Sequence, residues 1–139
     1  MDRISSLAQE KLRHRIEEHC GLLHSDYVLL EPMIDKAAGK GGKEASVTEA
    51  YEIAQRITGL SGTNGFSEVS QRANALADAL RLAATERRQP GEDERTRIRE
   101  CFELLRHCIE RLTPECSRLY DADLASPFRD SGFRRISFR

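Results

Sequence analysis

The stretch Ser46-Val47-Thr48-Glu49-Ala50-Tyr51-Glu52-Ile53-Ala54-Gln55-Arg56-Ile57-Thr58-Gly59-Leu60-Ser61-Gly62-Thr63-Asn64-Gly65-Phe66 contains a start signal, a periodic body and a stop. Its opening has the S-x-x-E form of a capping box, in which the Ser46 hydroxyl accepts the third helical N–H and Glu49 reaches back to the Ser46 amide. A helix is therefore expected from Ser46 to about Gly62, broken by Asn64-Gly65. On a wheel of about 100° per residue, Ile53, Ile57 and Leu60 fall within about 40° of the point opposite Gln55. They are expected to face a core. Gln55 then points outward, flanked by Thr48, Glu52, Gly59 and Gly62, with Tyr51 and Thr58 slightly to one side.

The same periodicity extends in both directions. Downstream, Phe66, Val69, Ala73, Leu76, Leu80 and Ala83 share one helix face, and Gln89-Pro90-Gly91 ends that helix. A further helix is expected from about Glu92 to Leu112, with Ile98, Phe102, Leu105, Ile109 and Leu112 inward and Pro114 just beyond it. Upstream, Ile4, Leu7, Ala8, Leu12, Ile16, His19, Cys20 and Leu23 recur at three- and four-residue steps, so a helix is expected from Asp2 to Gly21. A second is expected from about Ser25 to Ala38, starting or kinking at Pro32. Gly39-Lys40-Gly41-Gly42 reads as a loop. Short connections make neighbouring helices antiparallel. The expectation is an all-α, up-down four-helix bundle over residues 1–113 with an additional N-terminal helix. An irregular basic tail follows over 114–139, with Phe128, Phe133 and Phe138 as its apolar residues.

Composition narrows the class. A chain of 139 residues is one domain by size. It buries roughly 68% of its unfolded surface, enough to fold without a metal or disulfide. With 22 basic against 23 acidic residues, the net charge of -1 argues against nucleic-acid binding. No apolar run approaches a membrane span and no apolar leader follows Met1-Asp2-Arg3, so a cytoplasmic protein is expected. Cys20, Cys101, Cys108 and Cys116 show no C-x-x-C spacing and read as reduced thiols. No phosphate-binding loop, zinc motif or nucleophile motif occurs. No catalytic residue, metal or cofactor is expected.

Gly59 and Gly62 on the outward side of a helix call for a reason, because each costs roughly 1 kcal/mol relative to alanine. Glycine there lets a partner come close, although Gly62 also lies near the helix end. The segment resembles the signature of histidine phosphotransfer domains, A-H-x-[LI]-K-G-x-[AS]-x-x-x-G. Ala54, Ile57, Gly59, Ser61 and Gly65 stand in register without gaps, and the apolar face of the next helix fits from Phe66 to Leu76. The resemblance is strong over about Ser46 to Leu82. Elsewhere it extends only to helix number and order.

Two positions depart from the pattern. Gln55 stands where the family has its phosphorylatable histidine, and Thr58 where it has a lysine that neutralises phosphoryl charge. The resemblance thus implies the fold and docking face, while the residues deny the relay. His14, His19, His24 and His107 do not replace the missing one, since none sits in a glycine-flanked exposed patch. What the resemblance implies is a pseudo-phosphotransfer protein of two-component signalling. It would bind a response-regulator receiver domain or a histidine kinase through Tyr51, Glu52, Gln55, Arg56, Thr58, Gly59, Gly62 and Arg72. Arg56 and Arg72 would flank an acidic partner and Glu52 would oppose it. Two alternatives stay open. One is a helical interaction or scaffold module outside phosphorelay. The other is a phosphotransfer protein whose histidine was altered.

Overall fold

The computed structural model of the chain describes residues 3–39 and 44–121, with side chains from residue 6. Four helices follow one another: α1 (Arg3–Ala38), α2 (Glu44–Thr63), α3 (Ser67–Glu86) and α4 (Glu92–Glu110). A 3₁₀ turn spans Pro114–Cys116. Each helix packs on its neighbours in sequence, α1 closes the ring against α4, and the diagonal pairs stay apart. This is the expected up-down four-helix bundle.

The apolar stripes of α3 and α4 lie where the periodicity put them. Val69, Ala73, Leu76, Leu80 and Ala83 are buried, as are Ile98, Phe102, Leu105 and Ile109. Together with Ile16, Leu23, Leu30 and Ile34 of α1 they form one continuous core. Polar contacts fix the antiparallel order along each seam. Between α1 and α2, Arg15 donates to Asn64 at 3.1 Å and Asp26 meets Arg56 at 3.7 Å. Between α1 and α4, His24 meets the Leu112 carbonyl at 3.2 Å and Arg99 donates to the Ala38 carbonyl at 3.0 Å.

Three expectations are corrected. The additional N-terminal helix does not exist as a separate element: one helix runs through Gly21 and Pro32 to Ala38. Gly21 is an exposed helical residue with nothing within 4 Å of where a Cβ would stand. It costs stability without ending the helix, because Cys20 and Leu23 on either side are anchored in the core. Pro32 also lies on the exposed side, so the helical hydrogen bond that its missing N–H forgoes is lost at the surface and not in the core. Next, α2 begins at Glu44, so Ser46 is a buried residue within its first turn and not its cap. Finally, Leu60 is exposed. The buried face of α2 is made by Ser46, Val47, Ala50, Ala54, Ile57 and Ser61, with Ile53 only half-buried. Small side chains turn inward here because α3 packs closely, and this rotates the wheel away from Leu60.

The polypeptide after α4 folds back over the α2–α3 turn. The Ser117 hydroxyl donates to the Asn64 carbonyl at 2.6 Å and the Arg118 amide to the Gly65 carbonyl at 3.1 Å. Tyr120 then reaches α1, its hydroxyl donating to Glu17 at 2.7 Å while Arg13 donates to its carbonyl at 2.9 Å. The start of the segment read as an irregular tail is therefore joined to the bundle. Residues 122–139, with Phe128, Phe133 and Phe138, lie outside the described residues, as do 40–43 of the glycine-rich loop.

Gly65 makes this clasp possible. Its φ is +83°, and a Cβ there would stand 2.6 Å from the Ser117 hydroxyl and 2.9 Å from Leu119 Cγ. A side chain would meet both a left-handed backbone and a filled space. Gly65→Ala is expected to lower stability by about 2–3 kcal/mol. In urea denaturation this appears as a lower midpoint at unchanged slope.

Candidate functional site

The candidate site is the outer side of α2, whose two edges lean on different neighbours. On the α3 edge, the Ser70 hydroxyl donates to the Thr58 carbonyl at 2.8 Å, and the Thr58 hydroxyl donates to the Ala54 carbonyl at 2.8 Å. Thr58 is half-buried and its hydroxyl is used internally. A Cβ on Gly62 would stand 3.3 Å from Ser70 Oγ. Gly62 is thus accounted for by the closeness of α3. Gly59 is exposed, with nothing within 4 Å of its Cβ position. Of the two glycines, it is the one that leaves open space.

Gln55 projects from the same side and is exposed. Its Nε2 donates to the Tyr51 hydroxyl one turn earlier, at 2.9 Å. Beyond Tyr51 stands Arg81 of α3, whose guanidinium pairs with the carboxylate of Asp78 and lies near the Tyr51 hydroxyl. Those partners push its pKa further up, so Arg81 carries its charge at any working pH. The result is a polar row of Gln55, Tyr51, Arg81 and Asp78 across the α2–α3 groove.

The other basic residues take different directions. Arg56 turns to Asp26 on α1 at 3.7 Å, on the edge where Leu60 is exposed. Arg72 is half-buried and acts on the thiols of Cys101 and Cys108, which places it toward α4. The fold therefore brings together Tyr51, Glu52, Gln55 and Gly59, sets Arg56 on one flank, and leaves Arg72 on another seam. Arg81 is the residue that sequence reasoning missed. An available signal was the hairpin itself: residues equidistant from the Asn64-Gly65 turn oppose each other, and this sets Tyr51 opposite Asp78, one turn before Arg81.

The interior edge of α2 holds a buried polar pair. His19 of α1 is 6% exposed, its Nε2 lies 3.4 Å from Ser61 Oγ, and its ring centroid is 5.8 Å from that of Phe66. Burial pushes its pKa down, and the charge of Asp26 opposes this only in part. His19 is a neutral core histidine, which matches its place on the apolar stripe.

A partly enclosed cleft lies elsewhere, between the start of α3 and the end of α4. It holds about 270 Å³ and is lined by Phe66, Glu68, Cys108, Arg111 and Cys116, among others. Burial, with the Glu68 carboxylate 3.4 Å away, pushes the Cys108 thiol up to about 11. A thiol so protonated is a poor nucleophile at neutral pH. All four cysteines are free. Among the described residues, no group of three or more histidine, cysteine, aspartate or glutamate side chains is placed to hold a metal. No helix among them is long and apolar enough to cross a membrane. No protein-family model, curated protein or solved structure matches the chain in comparisons with known proteins.

Two outcomes follow. Gly59→Ala is expected to raise stability by about 0.5–1 kcal/mol, since its Cβ enters open space on a helix. Gly62→Ala is expected to bring no such gain, because its Cβ presses on Ser70. Paired thermal melts check both. The second concerns pH. The unfolded imidazole titrates near 6.5 and the folded one lower. Stability is then fully present above pH 6.5 and declines as pH falls toward the folded value, because the unfolded chain takes up the proton first. Urea midpoints measured on both sides of pH 6.5 should show this decline, and His19→Gln should flatten it.

Proposed function

We propose that this chain is a pseudo-histidine-phosphotransfer protein. It binds a response-regulator receiver domain or a histidine kinase through the outer face of α2, and controls phosphoryl flow by occupying that partner instead of carrying phosphate itself. The observation that carries the reading is an exposed amide at Gln55, one turn from the open glycine Gly59, on a four-helix bundle. Open backbone at Gly59 lets a partner's loop come close to the helix. An amide nitrogen has no free lone pair to attack phosphorus, so Gln55 is no substitute for an imidazole nucleophile.

Gln55 nonetheless has recognition chemistry. Nε2 keeps a second hydrogen beyond the one given to Tyr51, and Oε1 accepts. A receiver presents acidic side chains around its phosphorylation site. The Gln55 amide and the Arg81 guanidinium, on either side of Tyr51, supply donors of the right kind. Glu52 beside them repels acidic groups and restricts how a partner can approach. Arg81 takes the part of the flanking cation that the sequence assigned to Arg72.

The test is an NMR titration of the isotope-labelled chain with receiver domains from its own organism. Expected are amide shifts on Tyr51 to Gly62 and on the turn of α3 around Arg81, with no phosphate taken up. Gln55→His should gain slow phosphate uptake from a phosphorylated receiver, slow because Thr58 supplies no charge. A face that stays silent toward every receiver and kinase tested sinks the proposal.

A further inference from the structure

The chain leaves α4 at Leu112 and returns along α1 as far as Asp121, and contacts on both sides of the 3₁₀ turn set its register. Before the turn, the Leu112 carbonyl accepts from His24 Nε2 at 3.2 Å and lies 3.9 Å from the Cys20 thiol. Beyond it, Tyr120 donates to Glu17 and accepts from Arg13, and Arg13 also meets Asp121 at 3.2 Å. Residue numbers therefore fall along α1 as they rise along the returning segment. Cys116 stands midway between Leu112 and Tyr120, and Cys20 stands between His24 and Glu17. The two cysteines are thus at the same level of this seam, and α1 packs directly on the turn Pro114–Cys116. Electrostatics agree with that placement. Burial pushes the Cys20 thiol up, and the charges of Cys116 and Glu115 push it further.

The two thiols differ in access. Cys116 is exposed and Cys20 is buried. Cys116 Sγ touches the Thr113 hydroxyl at 3.6 Å, a weak contact that rotation about its Cα–Cβ bond releases. The other two thiols are turned elsewhere: Cys108 donates to Glu68 at 3.4 Å, and Cys101 lies by Arg97 and Arg72. A buried, protonated thiol such as Cys20 does not react with an oxidant itself. Next to an exposed thiol that has reacted, it is placed to resolve the product into a disulfide.

We propose that Cys116 and Cys20 are an oxidation-sensitive pair, closed to a disulfide by hydrogen peroxide. The Cys116 thiol gives up its proton and its sulfur attacks one peroxide oxygen. The O–O bond breaks, and the departing hydroxide takes up a proton, leaving water and a sulfenic acid at Cys116. The Cys20 sulfur then attacks the Cys116 sulfur, and the hydroxyl leaves with the Cys20 proton as a second water. Two thiols become one disulfide while one peroxide becomes two waters. The new bond ties α1 to the residue before Ser117 and Arg118, and so holds the clasp on the Asn64-Gly65 turn. A thiol reductant reverses it. The inference does not depend on what the outer face of α2 binds.

Peptide mapping of the full chain tests this, because trypsin leaves each cysteine in a peptide of its own, Cys20 in 16–36 and Cys116 in 112–118. The chain is treated with hydrogen peroxide, remaining thiols are alkylated, and the digest is read by mass spectrometry with and without dithiothreitol. Expected is peptide 16–36 linked to 112–118 within one chain, with the link lost on reduction. Cys116→Ser should abolish the link and leave the thermal melt unchanged, since Cys116 is exposed. Cys20→Ala should instead leave a sulfenic acid at Cys116 that dimedone labels. The Arg118 amide donates to the Gly65 carbonyl at 3.1 Å, and its hydrogen exchange should slow by roughly tenfold or more on oxidation. Absence of the link, a link from Cys116 to Cys108 or Cys101 in its place, or a disulfide formed only between copies overturns the proposal. A Cys20–Cys116 link that leaves Arg118 exchange unchanged overturns its hold on the clasp.

Discussion

The close approach of α2 and α3 governs the rest of this molecule. Ala50, Ala54 and Ser61 line the inner side of α2, and Ala73, Ala77 and Leu80 face inward from α3. Small side chains let the two backbones come near enough for Ser70 to donate to the Thr58 carbonyl and for Gly62 to sit against Ser70. Interiors pack to nearly crystalline density, so such a contact fixes the rotation of α2 about its axis and not only its position. That rotation exposes Leu60, half-buries Thr58, and holds Gln55 and Tyr51 over the groove beside Arg81.

Legibility in the sequence followed the same division. The stripes of α3 and α4 were readable because large aliphatics define them without ambiguity: Val69, Leu76, Leu80, Ile98, Phe102, Leu105 and Ile109 are all buried. On α2 the large residues misled. Ile57 is buried as expected, but Ile53 and Leu60 pointed the wheel away from the side where Val47, two alanines and two serines join it in the core, and alanine is a weak marker of side. Helix α1 was divided at Gly21 because glycine is read as a stop, yet tertiary anchoring on both sides overrides a local cost of roughly 1 kcal/mol. The exposure of Gln55 and Gly59 was readable. The roles of Arg72 and Arg81 were not, since they depend on which side of α3 faces α2.

Among the described residues the buried polar side chains are few: His19, Ser46, Ser61, Asn64 and Ser117. His19 with Ser61 sits against Phe66, and Ser117 with the Asn64 carbonyl secures the turn. Glu94 accepts from the Gly91 amide at 2.8 Å and from Arg88 at 2.7 and 3.1 Å, which holds its carboxyl below the ordinary range and starts α4 cleanly. Buried donors and acceptors left unmatched would cost more than these bonds contribute, so each pair also fixes the register of the elements it joins.

The clasp of Ser117 and Arg118 on the Asn64-Gly65 turn has a kinetic meaning. Most contacts in an up-down bundle join helices adjacent along the chain, and such local topologies fold fast. The bond from Ser117 to Asn64 spans 53 residues and closes a loop that contains all of α3 and α4. Loop-closure entropy for it is recovered only once both helices are in place. The clasp is therefore a late event, and the last step of folding ties the end of α2, the return from α4 and the flank of α1 into a single cooperative unit.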